Sequence, residues 1–139
     1  MSQLVMSSFL RRVLTADALI SAAAGLVMVA GAGVLHELLQ LPVALLQIAG
    51  AALFPWAACL LWLARKPTAP RAAVWAVIVL NIVWVADSVW VALGGSYTPN
   101  MLGQAFIAAQ ALMVAVLAEL EFTGLRRASS ERPAVSFGA

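Results

Sequence analysis

Long apolar stretches alternate with short polar ones along nearly the whole chain. They run from about Val13 to Leu35, Pro42 to Ala64, Ala72 to Leu93 and Asn100 to Leu120. Each is close to the roughly 20 residues that a helix needs to cross a hydrocarbon core of about 30 Å, at about 1.5 Å of rise per residue. The pattern predicts an all-α membrane protein with four transmembrane helices. Short connections around 36–41, 65–71 and 94–98 make sequential helices antiparallel neighbours in a bundle. Pro42 and Pro99 stand where proline costs least, at the start of a helix, and Thr98 is the expected cap before Pro99. Gly94, Gly95 and Gly124 mark expected helix ends.

Composition narrows the class and charge adds an orientation. Of 139 residues, 64% are hydrophobic and only 10% charged, with a mean hydropathy of +1.00. A water-soluble domain carries about a quarter charged residues. The Lys and Arg residues fall into three clusters: Arg11 and Arg12, then Arg65, Lys66 and Arg71, then Arg126, Arg127 and Arg132. On a four-span reading all of them lie on one face of the membrane. Short loops rich in Lys and Arg stay cytoplasmic, so both termini are expected there, in a multi-pass protein of the cell inner membrane. The net charge of +2 is split among juxtamembrane clusters rather than gathered on one face. This points to anionic lipid head groups rather than to nucleic acid.

Four spans and their connections use up residues 1–127 as a single domain, and 128–139 reads as a tail without fixed structure. Arg11 and Arg12 before an apolar block, with Ala30-Gly31-Ala32 after it, resemble parts of a signal peptide. The block is longer than the usual apolar region of about 7–15 residues, and Asp17 interrupts it, so it is expected to remain as the first span. The flanking residues also depart from a twin-arginine signal. Leu4, Val5, Met6, Phe9 and Leu10 are expected to form a short interfacial helix ahead of the arginines.

Chemistry-bearing motifs are scarce. Cys59 is the one cysteine, so neither an intramolecular disulfide nor a cysteine metal cluster can form. His36-Glu37 begins like a zinc-protease helix, but the position four after His36 is Gln40, and the second ligand is missing. No Ser/His/Asp grouping and no glycine-rich phosphate loop is visible. A non-enzymatic protein without cofactor or metal is expected.

The polar residues inside the spans are the informative ones, because an ionisable group at a helix centre costs about 2.5–3.5 kcal/mol on insertion scales. At 100° per residue, Asp87, Trp84, Ser88 and Asn81 share about a third of the third helix's circumference. This stripe should face other helices, with Gln47, Gln104 and Gln110 as its partners. Asp17, near the basic flank, is expected within reach of Arg11 or Arg12, and Glu119 and Glu121 are expected in solvent beside Arg126 and Arg127. Trp62, Trp75, Trp90 and Tyr97 suit the two interfacial belts, whereas Trp56 and Trp84 lie deep and need acceptors for their indole N–H groups. Pro55 frees the Ala51 carbonyl and is expected to kink the second span.

Small residues at four-residue spacing, Ala18/Ala22 and Ser21/Gly25 in the first span, Ala105/Ala109 and Ala111/Ala115 in the fourth, predict close helix approach. Three roles follow. The first is an interaction or assembly subunit, associating with itself as a homo-oligomer or with another membrane protein. The second is proton- or cation-coupled transport with Asp87 as the intramembrane site. The third is binding of a small apolar ligand, a quinone or lipid, near Trp56 and Trp84.

Overall fold

The computed structural model describes residues 3–130. Its elements are β1 (Gln3–Val5), α1 (Ser8–Ala30), α2 (Ala32–Leu39), α3 (Val43–Ala64), β2 (Thr68–Pro70), α4 (Arg71–Ala92) and α5 (Met101–Ser130). Four of the helices, α1, α3, α4 and α5, are long and apolar enough to cross a membrane. Their large side chains are exposed around much of the surface, Leu19, Leu26, Ile48, Trp62, Trp90 and Leu112 among them. Apolar residues all round a helix are the signature of a lipid surrounding.

Several boundaries differ from the sequence reading, each for a local reason. Helix α1 begins at Ser8, five residues' worth of helix ahead of Val13, because Ser7 caps it: the Ser7 hydroxyl accepts from the Leu10 amide at 3.1 Å. The same helix stops at Ala30, where Gly31 turns the chain into the separate short helix α2. Instead of an interfacial helix, Gln3–Val5 forms a strand, antiparallel to β2 with Leu4 opposite Ala69. Leu4 and Ala69 are buried, so this ribbon closes one end of the molecule.

Gln40, with φ 56°, ends α2, and Pro42 in extended conformation leads into α3. Helix α4 ends in a Schellman arrangement: the Gly95 amide donates to the Trp90 carbonyl at 3.0 Å and the Gly94 amide to Val91 at 3.1 Å. Gly94 has φ +79°, a conformation suited to glycine. The cap of α5 is Asn100 rather than Thr98; its side-chain oxygen accepts from the Gly103 amide at 2.8 Å. Its side-chain nitrogen also donates to the Leu38 carbonyl at 2.8 Å, tying α5 to α2. Helix α5 continues past Leu120 and past Arg126 and Arg127 to Ser130. Ala128 to Ser130 are therefore helical, and the rest of the expected tail, 131–139, lies outside the described residues.

Two seams dominate the packing, α1 on α3 and α4 on α5, with a lesser one between α1 and α5. Glycines permit the first. A Cβ on Gly25 would lie 2.7 Å from the Gly50 carbonyl oxygen, and one on Gly50 would lie 2.8 Å from the Met28 Cβ. Gly25 of α1 is thus spent inside the chain, on α3. Gly124 plays the same part between α5 and Leu10 of α1.

The start of α1, the end of α3, β2 and the late part of α5 meet at one end. Arg11 Nε donates to the Ala64 carbonyl at 2.8 Å, the Met6 amide donates to Pro67 at 2.9 Å, and Arg127 lies 4.9 Å over the Phe9 ring. One apolar cluster, around Leu10, Leu14, Leu60, Val74 and Leu125, fills this end. A second, around Leu39, Leu41, Leu46 and Ile107, fills the other.

Candidate functional site

Between the two clusters the four long helices line a cavity of about 540 Å³ that is open on one side, where Leu80, Val83 and Met113 are exposed. Its wall comes from all four: Ile20 and Ala24 of α1, Leu53 and Trp56 of α3, Leu80 and Val83 of α4, Met113 and Leu117 of α5. This volume falls within the roughly 300–1,000 Å³ of small-molecule sites, and so does the balance of apolar wall with a few polar groups. A smaller cavity of about 230 Å³ adjoins it, the two sharing Trp84, Asp87 and Gln110.

Two hydrogen-bonded clusters supply the polar groups. In the first, Asn81 of α4 donates through Nδ2 to Asp17 Oδ2 of α1 at 3.0 Å and to the Glu121 carboxyl of α5 at 3.2 and 3.3 Å. Ser21, one turn after Asp17, donates to Asp17 Oδ1 at 3.1 Å. All are buried, Asp17 at 1%, Asn81 at 4% and Glu121 at 0% exposure. A single amide thus joins three helices, and both of its protons find carboxyl acceptors. Asp17 and Asn81 also form part of the cavity wall.

The second cluster closes a ring between α4 and α5. Trp84 Nε1 donates to Gln110 Oε1 at 2.7 Å, Gln110 Nε2 donates to Ser88 Oγ at 3.0 Å, and Ser88 donates to the Trp84 carbonyl at 2.7 Å. This disposes of the indole N–H that a deep tryptophan must satisfy. No buried side-chain nitrogen or oxygen among the described residues lacks a partner.

The residues singled out from sequence are therefore divided. Trp84, Ser88 and Gln110 meet as one cluster, and Asn81, Trp56 and Asp87 border the same cavity. Asn81 turns to Asp17 and Glu121 rather than to Asp87. Asp87 is exposed and makes no hydrogen bond or ion pair with another described residue, so it is not the hub of the network. Gln47 is exposed and likewise unbonded among the described residues, while Gln104 donates to the Ala92 carbonyl at 3.2 Å and stays outside the cavity.

Asp17, Ser21 and Glu121 belong to the network although the sequence reading placed the two carboxyl groups near water and basic side chains. Arg11 instead reaches the Ala64 and Lys66 carbonyls, Arg126 lies 5.7 Å over the Phe122 ring, and Arg127 lies over Phe9. A signal was present: eleven residues make three helical turns to within about 20° at 100° per residue, so Gln110 and Glu121 share a face of α5. Asp17, Ser21 and Gly25 similarly share the inward stripe of α1. Comparison with protein-family models, with curated proteins and with solved structures returns no match.

Proposed function

We propose that this chain is a small multi-pass membrane protein whose four-helix, antiparallel bundle holds a lipophilic small molecule in its central cavity. The observation that carries this reading is the cavity itself: about 540 Å³, apolar on all four sides, with Trp56 and Trp84 in its wall and two satisfied polar clusters fixing its shape. A bundle that needed only to pack would bring α3 and α4 together as it does α1 with α3 and α4 with α5. Instead α3 and α4, consecutive in the chain, make little direct contact. A ligand dissolved in the bilayer enters between them, past Ala52 of α3 and Leu80 and Val83 of α4. The basic end faces the cytoplasm, which places both termini there, in the inner membrane of the cell.

Assembly with itself or with another membrane protein is a second reading, supported by the alanines of α5. Ala105 and Ala108 are exposed and border neither cavity, whereas Gly25 of α1 is already occupied by α3. Transport centred on Asp87 is less well supported than either, because Asp87 stands apart from the buried network.

The test uses intrinsic fluorescence. Trp62, Trp75 and Trp90 are exposed on the outer surface and can be replaced by phenylalanine, leaving Trp56 and Trp84 as reporters. Titration of this protein with triphenylphosphine oxide, a neutral aromatic probe, is expected to give a saturable change in emission that Ala109→Phe, which fills the cavity, removes. A change that grows linearly with probe, as partition into detergent would give, refutes the reading.

A further inference from the structure

The cavity wall carries charge of one sign only. Asp17 and Asp87 contribute carboxyl groups, and no Lys, Arg or His is among the residues that line it. Four of the basic side chains have other occupations: Arg11 holds the end of α3, Lys66 lies 4.0 Å over the Trp62 ring, and Arg126 and Arg127 lie over phenylalanines. The two carboxyl groups differ in what they can offer a ligand. Asp17 already accepts from Asn81 and Ser21 and serves as a fixed, shielded acceptor. Asp87 lines both the larger and the smaller cavity and has no partner among the described residues.

Trp84 stands one turn before Asp87 on α4, and Trp56 belongs to the same wall from α3. Indole is the strongest of the aromatic partners for a cation, and an opposite charge gains most where water is excluded. Acidic groups without basic ones, together with two indoles and an otherwise apolar wall, define one class of ligand. An anion would meet repulsion at both carboxyl groups, and a neutral molecule would leave Asp87 without a countercharge.

We propose that the ligand of this cavity is a lipophilic cation, an aromatic or alkyl ammonium or phosphonium, whose charge is met by Asp87 and whose apolar body lies against Trp56 and Trp84. The proposal rests on the cavity being a ligand site and adds the sign of the ligand's charge. A cation of this kind partitions into the bilayer through its apolar groups, reaches the cavity from the side, and exchanges the head-group region for the Asp87 carboxylate.

Three probes of nearly the same shape separate the possibilities: tetraphenylphosphonium, tetraphenylsilane and tetraphenylborate. Each is titrated against the full chain that retains Trp56 and Trp84 as its tryptophans, in a non-ionic detergent. Tetraphenylphosphonium is expected to bind at least about tenfold more tightly than tetraphenylsilane, its neutral isostere, the factor one modest charge contact supplies. Asp87→Asn, at an exposed site without internal bonds, is expected to weaken the cation about fivefold or more and the neutral probe much less. Equal affinity for cation and neutral probe, tighter binding of tetraphenylborate, or indifference of the cation to Asp87→Asn overturns the assignment of charge while the ligand site stands. Saturable binding of none of the three overturns the ligand site, and this proposal with it.

Discussion

Replacing Asn81 by alanine removes the one amide that ties α1, α4 and α5 together, and its cost can be worked from the contacts. Two interhelical partnerships disappear, with Asp17 at 3.0 Å and with Glu121 at 3.2 Å. Interhelical hydrogen bonds in membrane proteins average about 0.6 kcal/mol and reach about 1.7. The larger effect is what remains behind, since Asp17 and Glu121 stay buried and each loses a donor, at about 1–3 kcal/mol for a buried polar group left unsatisfied. Relaxation offsets part of this, and a net loss of about 2–4 kcal/mol is expected.

The assay is reversible unfolding in mixed dodecyl-maltoside and dodecyl-sulfate micelles, followed by circular dichroism. Asp87→Ala in the same assay is the control, because Asp87 is exposed and unbonded, and should change stability by less than about 0.5 kcal/mol. The double variant Asn81→Ala/Glu121→Ala should lose less than the sum of the two single variants, as residues in one network do. A stability for Asn81→Ala within about 0.5 kcal/mol of wild type, or a greater loss for Asp87→Ala, would refute the reasoning, because the hub of the polar network would then lie elsewhere.

Three further outcomes follow from the packing. Gly25→Ala should destabilise the same unfolding transition by about 1–3 kcal/mol, the usual cost of overpacking, since its new methyl would lie 2.7 Å from the Gly50 carbonyl oxygen. Gly33→Ala, where nothing lies within 4 Å of the added carbon, should be neutral or gain up to about 1 kcal/mol from helix propensity. Gly94→Ala should lose about 1–2 kcal/mol in that assay, because φ there is +79° and the Schellman end of α4 depends on it.

Much of the architecture was legible because the dominant signal, long apolar blocks separated by Pro, Gly and basic residues, is coarse and repeated. The central spans illustrate this: Pro42 to Ala64 and Ala72 to Leu93 differ from α3 and α4 by at most one residue at each end. At the basic ends of the outer spans the departure has one shared reason. Arg11, Arg12, Arg126 and Arg127 look like flanks of helices in the sequence, but long basic side chains can extend from within a helix while their backbone continues it. Helix α1 therefore starts before its arginines and α5 runs on beyond its own.

That shift carries the error in the site. Asp17 lies about 14 Å along α1 from Ser8, at about 1.5 Å per residue, and meets Asn81 halfway along α4 instead of an arginine at the surface. Glu121, expected in solvent, has no exposed area because α5 continues past it and covers it against α1. On α4 the helical wheel placed Asn81, Trp84 and Ser88 together with good reason, since Trp84 and Ser88 do share Gln110. It could not say which members of that stripe pair with one another, and Asp87 borders the cavity without joining either hydrogen-bonded cluster. The cavity was hinted at by two deep tryptophans, but its existence depends on the spacing of α3 from α4, which no local pattern encodes.

Location of the ligand is the most direct test of a ligand-binding bundle. The protein in non-ionic detergent would be irradiated with a neutral, lipophilic diazirine, with and without excess triphenylphosphine oxide, and the adducts mapped by mass spectrometry of peptides. The cavity account predicts that labelling of Leu53, Trp56, Trp84 and Leu117 is suppressed by the competitor, while labelling of Leu26, Ile48 and Leu112 on the outer surface is not. Labelling confined to the outer surface, or suppressed equally at both sets of residues, would contradict it.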